Sequence, residues 1–238
     1  RFLLWGFFVL LLVLAVHSLS LGNGLIGWDD QATIAGNPLL GRLSIPRFAQ
    51  YFTAFYNYDY YPVFYLSLWP ERFLWGENPF GHHLTNLLLH ALNAALVYLL
   101  ALKLLPDRKP ARAAIVAAVW ALHPVAVEPV SWATGRKVLL AASFSLLSLH
   151  FYLRAEESRG KTGRWRTAAV ALFSLGCLSN VAAAAAAPVF GAYEYACRRR
   201  LGRALVRSLP FLLVGIAALF LKIYGRRSHP EAPPEIIW

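Results

Sequence analysis

The sequence predicts an all-α protein, a bundle of helices that crosses a lipid bilayer several times. Of its 238 residues, 58% are hydrophobic, and the mean hydropathy is +0.48. Several apolar runs approach twenty residues, which is about the length that a helix needs to cross a hydrocarbon core of roughly 30 Å. Basic residues concentrate in the short segments between these runs. A soluble domain of this size does not usually contain so many hydrophobic residues in runs of this length.

About seven membrane helices are predicted, at residues 2–22, 81–104, 111–123, 137–154, 167–180, 183–196 and 207–224. The third, fifth and sixth are short for a full crossing, so we expect them to be tilted or buried among the others. The first is interpreted as a membrane helix and not as a cleavable signal peptide, because its apolar run is too long and no small-x-small site follows. Together they form a single transmembrane domain over residues 1–238.

The charge distribution predicts the direction of each crossing. The net charge is +11, and the excess lies at the N-terminus and in the segments 103–112, 154–166 and 198–207. The positive-inside rule places the N-terminus and the loops 106–112, 154–166 and 197–207 in the cytoplasm. It places residues 23–80, 123–136 and the tail 225–238 outside. Topology explains the basic character of the chain, so nucleic acid is not expected as a partner.

The predicted first external loop, residues 23–80, is long and rich in Phe, Tyr and Trp. One interpretation is an aromatic belt of amphipathic segments lying at the lipid headgroups. The other is a binding platform for a sugar or a lipid. The sequence alone leaves both open.

Two adjacent carboxylates, Asp29 and Asp30, follow the first helix in the stretch GWDDQ. Carboxylates at this position can act as a general base or as ligands for a divalent metal ion. A pair of solvated loop residues is the alternative.

The second predicted helix carries a polar stripe. His83, Asn86, His90 and Asn93 recur at helical spacing, and His82 lies beside them. Such a stripe must face protein or a cavity, because polar groups are costly in lipid. Three roles are consistent with it: interhelical hydrogen bonding, a catalytic or donor-binding face, and ligation of a metal ion or tetrapyrrole.

The stretch HPVAVEPVSWATGRK, residues 123–137, places several functional side chains in a short external segment. Arg136 and Lys137 have the chemistry to clamp a phosphate. They can equally anchor the following helix at the membrane interface. His123 and Glu128 are further candidates for a site here.

These motifs together resemble one family. The order is the Asp pair, then NPFGHHLTNLLLHALNA, then HPVAVEPVSWATGRK, then LSN before a Pro-containing helix. It is similar to the membrane half of the TMTC-type protein O-mannosyltransferases and their bacterial relatives. Those are glycosyltransferases of the GT-C class, which often carry tetratricopeptide repeats after the membrane part. Such repeats are not found here, and we expect the chain to be part of a longer protein.

The resemblance implies a GT-C-like bundle that transfers a sugar from a polyprenyl-phosphate donor to an acceptor on the external face. Asp29 or Asp30 would be the general base or a metal-binding acid, the only cofactor expected being a divalent metal there. Arg136 and Lys137 would hold the donor phosphate. The residues lining the cavity would be His82, His83, Asn86, His90, His123 and Glu128. The implied location is a bacterial inner membrane, with the N-terminus cytoplasmic and the first loop periplasmic.

Several positions depart from the family pattern. Ala126 stands where a second His is usual, Val138 where an acid is usual, Asn180 where a Lys is usual, and Tyr61 where an Arg is usual. These losses favour a second hypothesis. In it, the chain is a catalytically degenerate subunit that packs against other proteins in a larger membrane complex.

Overall fold

The computed structural model describes residues 2–37, 40–41, 44–53, 55, 60–158, 161–198 and 200–228. Within this part there is no β-strand, so the all-α prediction is confirmed. The α-helices are α1 Phe2–His17, α2 Ile45–Thr53, α3 Pro62–Trp75, α4 Pro79–Leu104, α5 Pro110–Ala121, α6 Val127–Ser131, α7 Arg136–Glu157, α8 Thr162–Ser179, α9 Ala187–Arg198 and α10 Leu201–Ser228.

Four stretches are long and apolar enough to cross a membrane: Phe2–Gly22, Pro79–Leu104, Ala133–Glu157 and Leu201–Gly225. A fifth arises if α5 and the segment Pro124–Ser131 form one broken span, bent by 58°. The chain is therefore an integral membrane protein. The predicted count of about seven is higher because α8 and α9 were also counted. α9 has only 12 residues, which is too short for a crossing.

The helix starts follow local sequence rules. Pro occupies the first turn of α3, α4 and α5, where its missing N–H and fixed φ are favourable. At α4 the Asn78 side chain also accepts a hydrogen bond from the Phe80 N–H, at 3.1 Å. α3 ends at Gly76, whose φ of +61° suits glycine. α4 therefore starts two residues before the predicted boundary.

The helices pack as two groups joined by α4 and α7. In the first group α1, α4 and α5 contact one another. Small residues of α5 lie at this interface and allow the backbones to approach closely, namely Ala113, Ala117 and Ala121. In the second group α7, α8, α9 and α10 enclose an aromatic core that contains Tyr152, Phe173, Phe190 and Phe211.

The segment between α1 and α4 folds into helices α2 and α3 and covers the ends of the bundle helices. Its buried residues Tyr61, Phe64 and Leu68 pack with Ala133 and Leu140. Other apolar side chains of the segment stay exposed, among them Ile45 and Phe73. The segment therefore has both a packed face and an exposed apolar face. Parts of the predicted aromatic loop, and residues 229–238 of the predicted tail, lie outside the described residues.

Candidate functional site

The polar stripe of α4 is buried inside the bundle. His82, His83, Asn86 and Asn93 have no exposed surface, and His90 is 1% exposed. Several of these side chains bind backbone carbonyl groups of neighbouring segments. The His90 ring lies 2.8 Å from the Ala121 carbonyl oxygen, and Asn93 donates to the Leu139 carbonyl oxygen at 3.0 Å. Interhelical hydrogen bonding is therefore one function of the stripe.

The chain between α5 and α7 forms a compact hairpin, residues 122–135, against α4. The Asn86 amide donates to the carbonyl oxygens of Trp132 and Ala133, at 2.8 and 3.2 Å. Gly135 packs so closely that an added Cβ would lie 2.6 Å from the Pro129 carbonyl oxygen. A side chain does not fit there without a backbone shift, so packing requires glycine at position 135.

Arg136 is fully buried at the start of α7 and donates to three groups. Its Nε lies 3.0 Å from the Asn86 side-chain oxygen, its Nη1 lies 2.6 Å from Glu71 Oε2, and its Nη2 lies 2.9 Å from the His82 carbonyl oxygen. The contact of Arg136 with a donor phosphate stays a prediction. In this structure the guanidinium serves to join α3, α4 and α7.

Glu71 completes this cluster from α3. Its Oε2 also lies 2.5 Å from His82 Nδ1, and its side chain is 6% exposed. Burial alone would raise the pKa of the Glu71 carboxyl. The hydrogen bond from His82 and the charge of Arg136 outweigh burial and hold this pKa below its ordinary value. Glu71 is therefore a carboxylate at neutral pH. We name Glu71, His82, Asn86 and Arg136 the Arg136 cluster.

The two predicted acids have different surroundings. Asp30 is completely buried, and its oxygens accept the backbone N–H groups of Ile26, at 2.9 Å, and Thr134, at 3.0 Å. The Asp29 side chain is 39% exposed and pairs with Lys137, at 3.1 Å. Asp30 therefore joins its loop to the hairpin, while the Asp29 side chain is partly exposed to solvent.

Lys137 is the partly buried neighbour of Arg136, with a side chain that is 18% exposed. Its Nζ lies 5.6 Å from the centre of the Trp132 ring, within the range of a cation–π contact. His83 lies nearby, fully buried, close to the backbone of Gly24 and Val130 and in the field of Asp30. The structure thus brings the Asp pair, His83 and Lys137 together, as a single site requires.

A separate cavity of about 590 Å³ lies on the other side of the hairpin. It is mainly apolar and is lined by His90, Ile115, Val116, Val119, Trp120, His123, Val125, Ala126, Pro129, Val138, Leu139 and Ala142. Of the predicted lining residues, His90 and His123 are present. His82, His83 and Asn86 belong instead to the polar interior, and Glu128 is exposed on α6 outside this lining.

The described residues do not fit the expected divalent metal well. No group of three or more His, Cys, Asp or Glu side chains is arranged for metal binding in the described part of the chain. Both Asp30 oxygens accept backbone N–H groups, and Asp29 faces a Lys ammonium. A divalent cation beside the Lys137 side chain is unfavourable, because like charges repel.

Comparisons with known proteins find partial similarity to two O-mannosyltransferases. Over 116 residues, 49% of this chain and 13% of the relative, the chain is 34% identical to "Protein O-mannosyl-transferase Tmtc1" of Drosophila melanogaster. Over 106 residues, 44% of this chain and 12% of the relative, it is 34% identical to "Protein O-mannosyl-transferase TMTC2" of Mus musculus.

The resemblance to the TMTC-type transferases is thus supported over about half of the chain. The matched part spans only about an eighth of those relatives' own length. No family model and no solved structure matches the chain.

Sequence analysis missed Glu71 and Thr134. Glu71 and its neighbour Arg72 are the charged residues of the apolar stretch 62–75, and an acid in such a segment is a signal for a buried partner. Thr134 contributes only its backbone N–H to Asp30, and no side-chain pattern could have indicated that.

Proposed function

We propose that this chain forms part of a glycosyltransferase site that moves a sugar from a polyprenyl-phosphate donor to a hydroxyl acceptor at the external face. The observation that carries this proposal is the accessible Asp29 carboxylate held 3.1 Å from Lys137, beside a buried Asp30. An acid and a cation side by side supply a proton acceptor and a phosphate partner. The names of the partial relatives support the same class of reaction.

In this mechanism Asp29 is the general base. Its carboxylate takes the proton of the acceptor hydroxyl as the hydroxyl oxygen forms a bond to the anomeric carbon. The bond from that carbon to the phosphate oxygen breaks, and polyprenyl phosphate leaves with the electron pair. Lys137 exchanges its contact with Asp29 for the phosphate and stabilises the charge that develops there.

Asp30 has a supporting role in this proposal. Because both its oxygens hold backbone N–H groups, it has little capacity left to accept a substrate proton. It fixes the loop so that the neighbouring Asp29 faces outward. The sequence offered either acid as the base, and the greater exposure of Asp29 supports Asp29 in this role.

The apolar cavity suits the hydrocarbon part of the donor. It reaches Val138, the residue directly after Lys137. A donor with its phosphate at Lys137 can extend its chain over this lining. We further propose that the site lies on the periplasmic side of a bacterial inner membrane, with the N-terminus in the cytoplasm, since the basic segments all fall on the opposite side of the predicted topology.

Transfer in proteoliposomes tests this proposal. The full chain is supplied with a polyprenyl-phosphate hexose radiolabelled in the sugar, mannose first, and with a hydroxyl-bearing peptide as the acceptor, and the transfer of the label to the peptide is measured. We expect Asp29→Asn to lower turnover by about 10²- to 10⁴-fold, the usual contribution of a general base. Glu77→Gln, a change at an exposed acid on the same segment, is the matched control. Wild-type turnover in the Asp29→Asn protein would refute the role of Asp29.

A second candidate is a non-catalytic subunit of a larger membrane complex. The observation that favours it is the complete engagement of Arg136 within the protein, together with the apolar residues Ala126 and Val138 in the cavity. Under this hypothesis the wild-type chain binds no polyprenyl-phosphate sugar. It is then purified only with stoichiometric membrane-protein partners.

A further inference from the structure

We propose that Glu71 is a positioning residue: through Arg136 it sets the geometry of residues 132–137, the end of the hairpin and the start of α7, which hold Asp30 and Asp29. The consequence for catalysis rests on the proposed function. The structural part, that Glu71 controls the placement of residues 132–137, can be tested without any activity.

The first link is between Glu71 and Arg136. Glu71 lies on α3, 65 residues before Arg136, and its carboxylate receives Arg136 Nη1 at 2.6 Å. His82 Nδ1 of α4 lies 2.5 Å from the same Glu71 oxygen. A carboxylate with partners on two other helices has a defined position, because each hydrogen bond restricts it from a different direction.

The second link is between Arg136 and the hairpin. Arg136 is the first residue of α7, and its three donating nitrogen atoms are all bound to α3 and α4. Asn86, which accepts from Arg136 Nε, uses its own amide to hold the carbonyl groups of Trp132 and Ala133. The start of α7 and the end of the hairpin are thereby both held by the Asn86 side chain.

The third link is between the hairpin and the Asp pair. Thr134, two residues before Arg136, donates its N–H to Asp30. Lys137, the residue after Arg136, pairs with Asp29. A shift of Arg136 therefore displaces both partners of the Asp pair at once, and displacements of about 1 Å at a reacting group can reduce catalysis by about 10²-fold.

A matched control lies at the other end of α7. There Arg207 Nη1 lies 2.6 Å from the Glu194 carboxylate, which is 1% exposed, so the pair has the same chemistry and a similarly buried acid, although Arg207 itself is 20% exposed. Within the described residues this pair hydrogen-bonds to Tyr152 and Glu156, neither of which belongs to the Asp pair or the hairpin. Loss of Glu194 therefore measures what the loss of a buried ion pair does to this bundle in general.

The experiment compares Glu71→Gln, Glu71→Asp and Glu194→Gln in the full chain. The kcat and KM of transfer are measured in proteoliposomes, and hydrogen exchange reports the Thr134 amide. We expect Glu71→Gln to lower kcat by about tenfold or more with KM for the donor within about twofold, and to speed exchange at Thr134 by about tenfold. Glu71→Asp, which restores the charge, recovers part of both. Glu194→Gln leaves both within about twofold.

Two results would overturn the proposal: wild-type kcat and Thr134 exchange in Glu71→Gln, or equal losses in Glu71→Gln and Glu194→Gln. If Glu71→Gln does not fold, Glu71→Asp decides the matter, since unchanged kcat and exchange in that folded variant would contradict a positioning role. If the wild-type protein transfers no sugar, the proposed function fails, and the exchange measurements still decide whether Glu71 positions the hairpin.

Discussion

α7 begins and ends in a buried cluster of charged residues, and the two clusters differ in what surrounds them. At its start, Arg136 joins Glu71 of α3 and two residues of α4. At its end, Glu156 of α7 meets Arg166 of α8 and Arg207 of α10, and Arg207 also binds Glu194 of α9. Both clusters join helices that lie far apart in sequence.

The difference lies in solvent access and in the neighbouring residues. The Arg136 side chain is 0% exposed, whereas Arg207 and Arg166 are 20% and 34% exposed. The Arg136 cluster also adjoins an accessible carboxylate and the backbone N–H groups that hold Asp30. The second cluster, named here the Arg207 cluster, consists of Tyr152, Glu156, Arg166, Glu194 and Arg207. Similar ion pairs can thus stabilise a bundle at one end and organise a candidate site at the other.

The largest expected effect is the loss of stability when the arginine of each cluster is replaced, and it should be greater in the more deeply buried cluster. Arg136→Met leaves Glu71 without its cation in a dry environment, so we expect unfolding in detergent to lose about 3–5 kcal/mol. Arg207→Met should cost about 1–3 kcal/mol, because water still reaches that cluster. Thermal unfolding followed by circular dichroism measures both. Equal losses of unfolding free energy in the two variants would show that the difference in burial does not affect stability.

The next prediction separates the two acids. Asp30→Asn replaces an oxygen that accepts a backbone N–H, or forces the amide to turn, and should cost about 1–3 kcal/mol of stability. Asp29→Asn removes only a partly exposed ion pair and should change stability by less than about 1 kcal/mol. The same unfolding assay applies. A greater loss of stability in Asp29→Asn than in Asp30→Asn would contradict the assignment of Asp30 as the structural acid and of Asp29 as the accessible acid.

The third prediction concerns the hairpin beside the Arg136 cluster. Gly135→Ala brings a Cβ against the Pro129 backbone, and we expect a loss of about 1–3 kcal/mol with reduced sugar transfer. Gly163→Ala in the first turn of α8 is the control, because nothing lies within 4 Å of the added Cβ. It should gain about 0.4–1 kcal/mol from the reduced freedom of the unfolded chain. If Gly135→Ala leaves stability unchanged, the backbone of the hairpin can shift to accept the added Cβ without loss of stability.

The smallest effect is a dependence of stability on pH. The pKa of Glu71 is lowered in the folded protein, so its contribution to stability is complete above its unfolded value of about 4.3 and is lost as pH falls through the lower folded pKa. We expect Glu71→Gln to reduce this acid-dependent slope, and Glu71→Asp to retain it. Unfolding titrations between neutral pH and about pH 3 measure the slopes. Identical slopes in all three proteins would contradict the predicted shift.

Sequence alone determined the class of the protein and the positions of its main helices. Apolar length identified the crossings, and helical spacing correctly predicted that the stripe from His83 to Asn93 is buried. The motifs also predicted that the Asp pair and the segment ending in Arg136 and Lys137 belong to one site. The crossings and the buried stripe depend on local composition and periodicity, which a sequence displays directly, whereas the grouping of the Asp pair with Arg136 and Lys137 came from the resemblance to the TMTC-type transferases.

Only the tertiary structure decided which partner each polar side chain has. Periodicity shows that a residue faces inward, but not what it meets there. The pairing of Arg136 with Glu71 depends on how α3 packs across α4, and the burial of Asp30 beside an exposed Asp29 depends on the approach of Thr134. Hydrogen bonds act over about 3 Å, so they are set by the packing of distant segments and not by the local pattern of either one.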